Sequence, residues 1–319
     1  MSGMKKFKKV EKPLSQTRHY SLCIPTTLVS DCCNLSQITH KIYQVAKFAS
    51  LFNVSELVIL ENDSHVQTGA SKKKISTAKL ILALLQYFVT PPYLCNTVFN
   101  EKFKPYLIAA SKLPRLSTLP FTRYQKQDHG RYREGLTIKM QKPTLTRKKT
   151  GKEFKQTKYI NIGKPEALAL QSQLVPINAR VTIDTITRKI VSPQEAYGDF
   201  TGTDSLYGYY TRIASSFTDL FMKSPLKEGY TQSIYVPLAT RETNIPALSS
   251  LPAIGTPSNI LLVFSAWDTL ERAFELDKDQ FLECQGPQEF FDAQLPCPLP
   301  VSDVVDAIPM TLTTLSTLF

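Results

Sequence analysis

The residues of this 319-residue chain with the clearest chemistry are its cations, because they are gathered. Between Lys102 and Lys158 stand sixteen Lys/Arg against three acids, Asp128, Glu134 and Glu153, a balance of +13. From Asp199 to Phe319, six Lys/Arg face fifteen acids, a balance of −9. The whole chain carries +11, so the middle alone is more positive than the total. Positive charge concentrated in this way neutralises phosphates and releases condensed counterions, which is the chemistry of a nucleic-acid contact surface. The candidate RNA-binding cations are Arg123, Lys126, Arg131, Arg133, Lys142, Arg147, Lys148, Lys149, Lys152, Lys155 and Lys158. Phe121, Tyr124, Tyr132, Phe154 and Tyr159 lie among them and have faces on which bases can stack. A bare charge run can equally be a solvated loop, and each ring can equally be core.

Other chemistries find little support. The six cysteines form no C-x-x-C pair and the four histidines are scattered, so zinc spacing is absent and no metal site is expected. There is no G-x-S-x-G, no Walker loop and no G-x-G-x-x-G. Asp277 and Asp279 are spaced like a solvated helix end rather than an acid/base couple. The first sixteen residues contain lysines but no apolar core of a secretory signal. The longest apolar run, Ala78 to Val89, is too short to cross a bilayer. No membrane partner is expected.

The elements that must position the cations read as two textures. Residues 1–17 look like a basic, flexible tail. Tyr20–Ile24 reads as a strand ending at Pro25, Ser36–Phe52 as an amphipathic helix, and Glu56–Leu60 (ELVIL) as a strand buried on both faces. Strand, helix, strand is a βαβ unit and predicts a parallel α/β sheet. Ile75–Phe88 is an apolar helix stopped by Pro91-Pro92. Short alternating runs follow at Gly130–Met140, Tyr159–Gly163 and Ala179–Thr185, the pattern of a small barrel. Leu206–Met222 reads as helix, which would put Arg212 in mid-helix. Gln232–Val236 and Asn259–Phe264 read as strands, and a last helix is expected from about Ala307 with Asp306 as its cap.

Taken together, YSLCIP, NVSELVILEND, LLQYFVTPPYL, YREGLTI, INIG, GYYTRIASSF, SPLKEGY, ILLVF and FFDAQLPCP, in this order, resemble the SPOUT-class (trefoil-knot) RNA methyltransferases. The similarity is to the branch in which an OB-like barrel interrupts the knotted domain, and it runs nearly end to end. It implies an α/β trefoil-knot domain over 18–118 and 192–319, and an inserted RNA-binding barrel over 119–191. It also implies S-adenosylmethionine as cofactor, a ribosomal or transfer RNA substrate, and a homodimer or a heterodimer with a paralogous SPOUT chain. A nuclear, nucleolar location and a part in ribosome biogenesis follow from the family and the basic tail.

In such proteins the cofactor lies on three loops at the ends of knot strands. By resemblance these are Pro237, Leu238, Ala239 and Thr240 in PLATRE; Ser265, Ala266 and Trp267; and Leu295, Cys297, Leu299 and Val301 in the last turn. Arg212, Arg241 and Glu242 are the candidate catalytic residues. The chain departs from the pattern in two of the loops. Ser265 and Ala266 stand where paired glycines are usual. Leu299, Pro300 and Val301 replace a glycine-rich turn, and Asp303 replaces the arginine after it. Glycine permits close approach of backbone to ligand, and Pro300 removes a donor. Trp267 is expected to fill the space that the lost glycines leave. Two functions therefore stand side by side: an S-adenosylmethionine-dependent RNA methyltransferase, and a catalytically degenerate member kept as an RNA-binding ribosome-assembly factor.

Overall fold

The computed structural model describes residues 18–61, 75–123, 130–139, 155–197, 208–226, 229–238, 258–281 and 284–318. Six strands form one parallel sheet. They are β1 (Arg18–Pro25), β2 (Glu56–Leu60), β10 (Tyr210–Ala214), β11 (Gln232–Val236), β12 (Ser258–Phe264) and β13 (Ala293–Gln294), in the order β10-β2-β1-β12-β11-β13. Seven further strands lie between β2 and β10 in the chain. Five of them form an antiparallel sheet ordered β6-β5-β3-β8-β9: β3 (Tyr132–Thr137), β5 (Tyr159–Asn161), β6 (Leu168–Ala169), β8 (Arg180–Asp184) and β9 (Lys189–Val191). The last two, β4 (Gln156–Thr157) and β7 (Val175–Pro176), pair as a ribbon.

The parallel sheet is covered on both faces, which is why its strands read as unbroken apolar runs. Leu22, Ile24, Leu57, Ile59, Ile234, Val236, Leu262 and Phe264 point to one face. There they meet α1 (Leu35–Leu51), α2 (Thr77–Phe88) and α9 (Val304–Leu318). Cys23, Val58, Leu60, Tyr235, Leu261 and Val263 point to the other, against α7 (Phe217–Met222) and α8 (Trp267–Leu276). Side-chain oxygens close the helix starts: Asn34 accepts from the Gln37 N–H of α1, and Ser76 from the Lys79 N–H of α2.

The expected helix over Leu206–Met222 is a strand followed by a short helix. Within Tyr210–Ala214 every residue pairs with its partner in β2, from Tyr210 opposite Glu56 to Ala214 opposite Leu60. Pairing with a buried neighbour overrode the local pattern, so Arg212 lies on a strand. The last helix also begins earlier than expected. Asp303 accepts from the Val305 N–H at 3.0 Å and Asp306 lies inside the first turn. The cap is therefore Asp303, and Pro309 falls within the helix.

Because all six strands run one way, the sheet has two distinct edges. The strand starts, including Arg18, Glu56, Tyr210 and Ser258, form the amino edge. The strand ends, including Pro25, Leu60, Val236, Phe264 and Gln294, form the carboxyl edge. Five residues at about 3.3 Å each separate the edges by roughly 15 Å.

The antiparallel sheet joins the molecule at the amino edge. Tyr209, next to the start of β10, donates its hydroxyl to Leu85 O near the end of α2 at 2.9 Å. Beyond that end, Arg180 of β8 donates to Val89 O at 2.6 Å. Tyr93, in α3 (Pro92–Val98), donates to Glu134 O of β3 at 3.1 Å. Asn161 donates to Thr97 Oγ1 at 2.8 Å. The fit is tight at Gly163, whose φ is +76° and whose missing Cβ would sit 2.5 Å from the Tyr93 ring. Only glycine suits both the dihedral and the space.

Candidate functional site

Three neighbouring strands, β12, β11 and β13, end side by side at the carboxyl edge, the place where open parallel sheets bind ligands. Leu238, Leu295, Cys297 and Val301 join the apolar cluster on the α1/α9 face, and Leu238 is buried. The Leu295 N–H donates to Tyr235 O at 2.9 Å, which ties the third loop to the end of the first. Ser265 follows β12 and is fully buried, yet its hydroxyl has no hydrogen-bond partner. A buried hydroxyl without a partner costs about 1–3 kcal/mol, a state that Ser265 shares with Ser21, Ser258 and one Glu134 oxygen. Directly after Ser265, α8 starts from Ala266 with no side chain capping its free N–H groups. The carboxyl edge thus offers one hydroxyl and an open helix start after β12, and an apolar cluster on the α1/α9 face of the sheet.

Two residues expected in this group do not join it. Trp267 is buried on the opposite face, packed edge-on to Tyr235 at 5.1 Å, with its indole N–H donating to Glu271 at 2.6 Å. It is packed into the core on that face. Leu299 is largely exposed. Pro237 lies on the first loop, and Ala239, Thr240, Arg241 and Glu242 lie outside the described residues. Asp303, which replaces a cation, binds Lys41 of α1 at 2.9 Å. That contact and its capping role give it a structural task.

Arg212 is held away from the strand ends. Its Nε donates to Glu56 at 2.6 Å, and its other nitrogens donate to Asp219 O, Leu220 O and the Tyr230 hydroxyl at 2.8, 2.7 and 3.0 Å. Tyr230 in turn donates to the second Glu56 oxygen at 2.7 Å. Glu56 is almost fully buried. Burial pushes the Tyr230 phenol up, and the Glu56 charge pushes it the same way. The Arg212 donors in the network are taken by β2, α7 and Tyr230, so the geometry is that of a buried clamp. Glu56 was missed in the sequence; a lone acid opening an apolar run was its only sign.

At the amino edge, the second missed pair fixes the antiparallel sheet. Arg180 donates twice to Glu134 Oε2, once at 2.9 Å. The Glu134 side chain is fully buried and its other oxygen has no partner. Burial raises its carboxyl above the ordinary range, against the pull of Arg180.

The expected RNA-binding cations divide. Arg131 pairs with Asp184 at 2.7 Å and stacks on Tyr132 at 5.1 Å. Arg133 stacks on Tyr93 at 4.3 Å, inside the joint between the sheets. Lys155 and Lys158 are exposed, with Lys158 over the Tyr159 ring at 5.5 Å. Arg123 ends α5 (Pro120–Arg123). Lys126, Lys142, Arg147, Lys148, Lys149 and Lys152 lie outside the described residues. Among the described residues no group of His, Cys, Asp and Glu could hold a metal ion, and no helix is long and apolar enough to cross a membrane.

Comparison with known proteins fits this arrangement. A Saccharomyces cerevisiae protein described as a "putative methyltransferase" is 86% identical over 319 residues, the full length of both chains. A second from the same yeast, with the same description, is 35% identical over 98% of this chain and 92% of its own. A Drosophila melanogaster 28S rRNA (uridine-N(3))-methyltransferase is 27% identical over 88% of this chain and 57% of its own. The family described as "putative RNA methyltransferase" matches residues 19–315, and the chain belongs to that RNA methyltransferase family.

Proposed function

We propose that this protein is an S-adenosylmethionine-dependent methyltransferase of the SPOUT class acting on ribosomal RNA. The observation that carries the reading is that β12, β11 and β13 end side by side at the carboxyl edge, with the partnerless Ser265 hydroxyl directly after β12. The cofactor supplies an electrophilic methyl group. Ser265 and the first N–H groups of α8 hold its polar part, and Leu238, Leu295, Cys297 and Val301 shelter the rest from water. Excluding water and fixing orientation supply most of the acceleration. Arg241 and Glu242 remain the candidate catalytic residues; Arg212 serves by holding α7 and β2 in place. The ribosomal substrate is supported by the activity named for the Drosophila relative. The trefoil knot, the inserted OB-like barrel, pairing with a second SPOUT chain and a nucleolar location belong to the same reading.

One observation favours a second reading, the degenerate assembly factor: Asp303 is committed to Lys41 and to capping α9, and Pro300 and Val301 stiffen the turn before it. Incubating the purified protein with ribosomal RNA and a methyl-labelled donor separates the two. Label entering RNA supports the methyltransferase. RNA binding without label transfer, in either partner state, supports the assembly factor.

A further inference from the structure

A cleft of about 250 Å³ opens near the amino edge, where α2, α3, α5 and the turn after α4 (Lys104–Ser111) meet. Tyr87 and Phe88 end α2, Phe121 comes from α5 and Cys95 from α3; Ser111 and Arg115 stand among the remaining, mostly apolar, lining residues. Its volume equals about eight waters of liquid, the scale of a single nucleoside and far below that of a helix or folded loop.

The lining is mostly apolar, with three aromatic rings and one cation, Arg115. Tyr87 is half-buried, tilted against Phe99 at 5.9 Å, and its hydroxyl has no hydrogen bond among the described residues. Arg115 is exposed and has no acidic partner among the described residues. Arg115 is the cation that lines the cleft, near the Cys95 thiol. Burial pushes that thiol to about 11, which leaves it a neutral wall. Unpaired bases are recognised by aromatic faces and by guanidinium planes, with a cation for the phosphate. The cleft also adjoins the charge that would bring RNA to it, because α5 ends at Arg123, where the basic segment begins.

We propose that this cleft takes one unpaired nucleotide of the bound RNA, its base against Tyr87 and Phe121 and its phosphate on Arg115. The inference rests on the RNA-binding reading above. The cleft lies near the opposite sheet edge from Ser265, so it anchors RNA and is not where the methyl group is transferred.

The test uses the full chain and two labelled probes, a ten-nucleotide oligouridylate and a blunt RNA duplex, read by fluorescence anisotropy. Ser111 is exposed, so Ser111→Trp fills the cleft without disturbing the core, and an unchanged melting temperature confirms folding. The expected result is an oligouridylate affinity about tenfold lower for Ser111→Trp, with duplex affinity within twofold of wild type. Photo-crosslinking with 4-thiouridine in the oligonucleotide is expected to mark the peptides containing Tyr87 or Phe121. Unchanged oligouridylate affinity in Ser111→Trp, with crosslinks only on the antiparallel sheet, overturns the proposal and leaves the RNA reading intact. A wild-type chain that binds neither probe overturns both.

Discussion

The two edges of the parallel sheet differ in how much of their polar chemistry is turned inward. At the amino edge most polar groups placed by the fold engage one another, although the second Glu134 oxygen and the Ser258 hydroxyl are buried without a partner. Arg180 spans Glu134 and Val89, Tyr93 meets Glu134 O, and Asn161 meets Thr97. At the carboxyl edge the fold leaves a buried hydroxyl and a helix start without partners. The first edge is a joint whose strength is internal. The second is, on the proposed function, the receptor for the methyl donor. Unsatisfied groups cost stability, and proteins concentrate such costs where they bind ligands.

The largest way to break this contrast is at the joint. Arg180→Ala removes the partner of a fully buried carboxylate, and breaking a buried pair costs about 3–5 kcal/mol. Denaturant unfolding is expected to show that loss, with early proteolytic release of the antiparallel sheet. A loss below 1 kcal/mol would remove the joint from the account. Next comes charge. Lys148→Glu with Lys149→Glu is expected to weaken RNA binding at moderate salt and to reduce the salt slope by about one per lost contact. Unchanged binding would detach the basic segment from RNA.

Ser265→Ala sharpens the contrast most cleanly, because the two edges predict opposite signs. Removing a partnerless buried hydroxyl leaves stability unchanged or slightly raised, while affinity for the methyl donor falls several-fold. A stability loss above 1 kcal/mol, measured by thermal melting, would show that Ser265 belongs to the packing.

The smallest effect is in pH. Hydrogen bonding from Arg131 lowers the Asp184 carboxyl from 3.8 to about 2. A depressed folded value means that this contribution is complete above about pH 4 and is lost as pH falls toward 2. Asp184→Asn should therefore flatten acid unfolding in that window, and an acid profile identical to wild type would deny the pair a role.

Much of this architecture was legible because burial on both faces forces strands such as ELVIL, QSIYV and NILLVF into continuous apolar runs. Tyr210–Ala214 was not legible. YTRIA carries an arginine, and its partner Glu56 lies far earlier in the chain, so only the folded sheet explains it. The same holds for Glu134 and Arg180, whose sequence neighbours give no sign of pairing. The positions of the strand-end loops could be read from resemblance, but their chemistry could not. Nothing in the residue type tells that Ser265 is partnerless, that Trp267 turns to the far face, or that Asp303 caps a helix.

The central claim is that the carboxyl edge receives a methyl donor. Calorimetric titration of the full chain with S-adenosylmethionine tests it most directly, with Ser265→Ala alongside. The account predicts saturable one-site heat for the wild type and several-fold weaker binding for the variant. No heat with either S-adenosylmethionine or its demethylated product, from protein that still binds RNA, would contradict it.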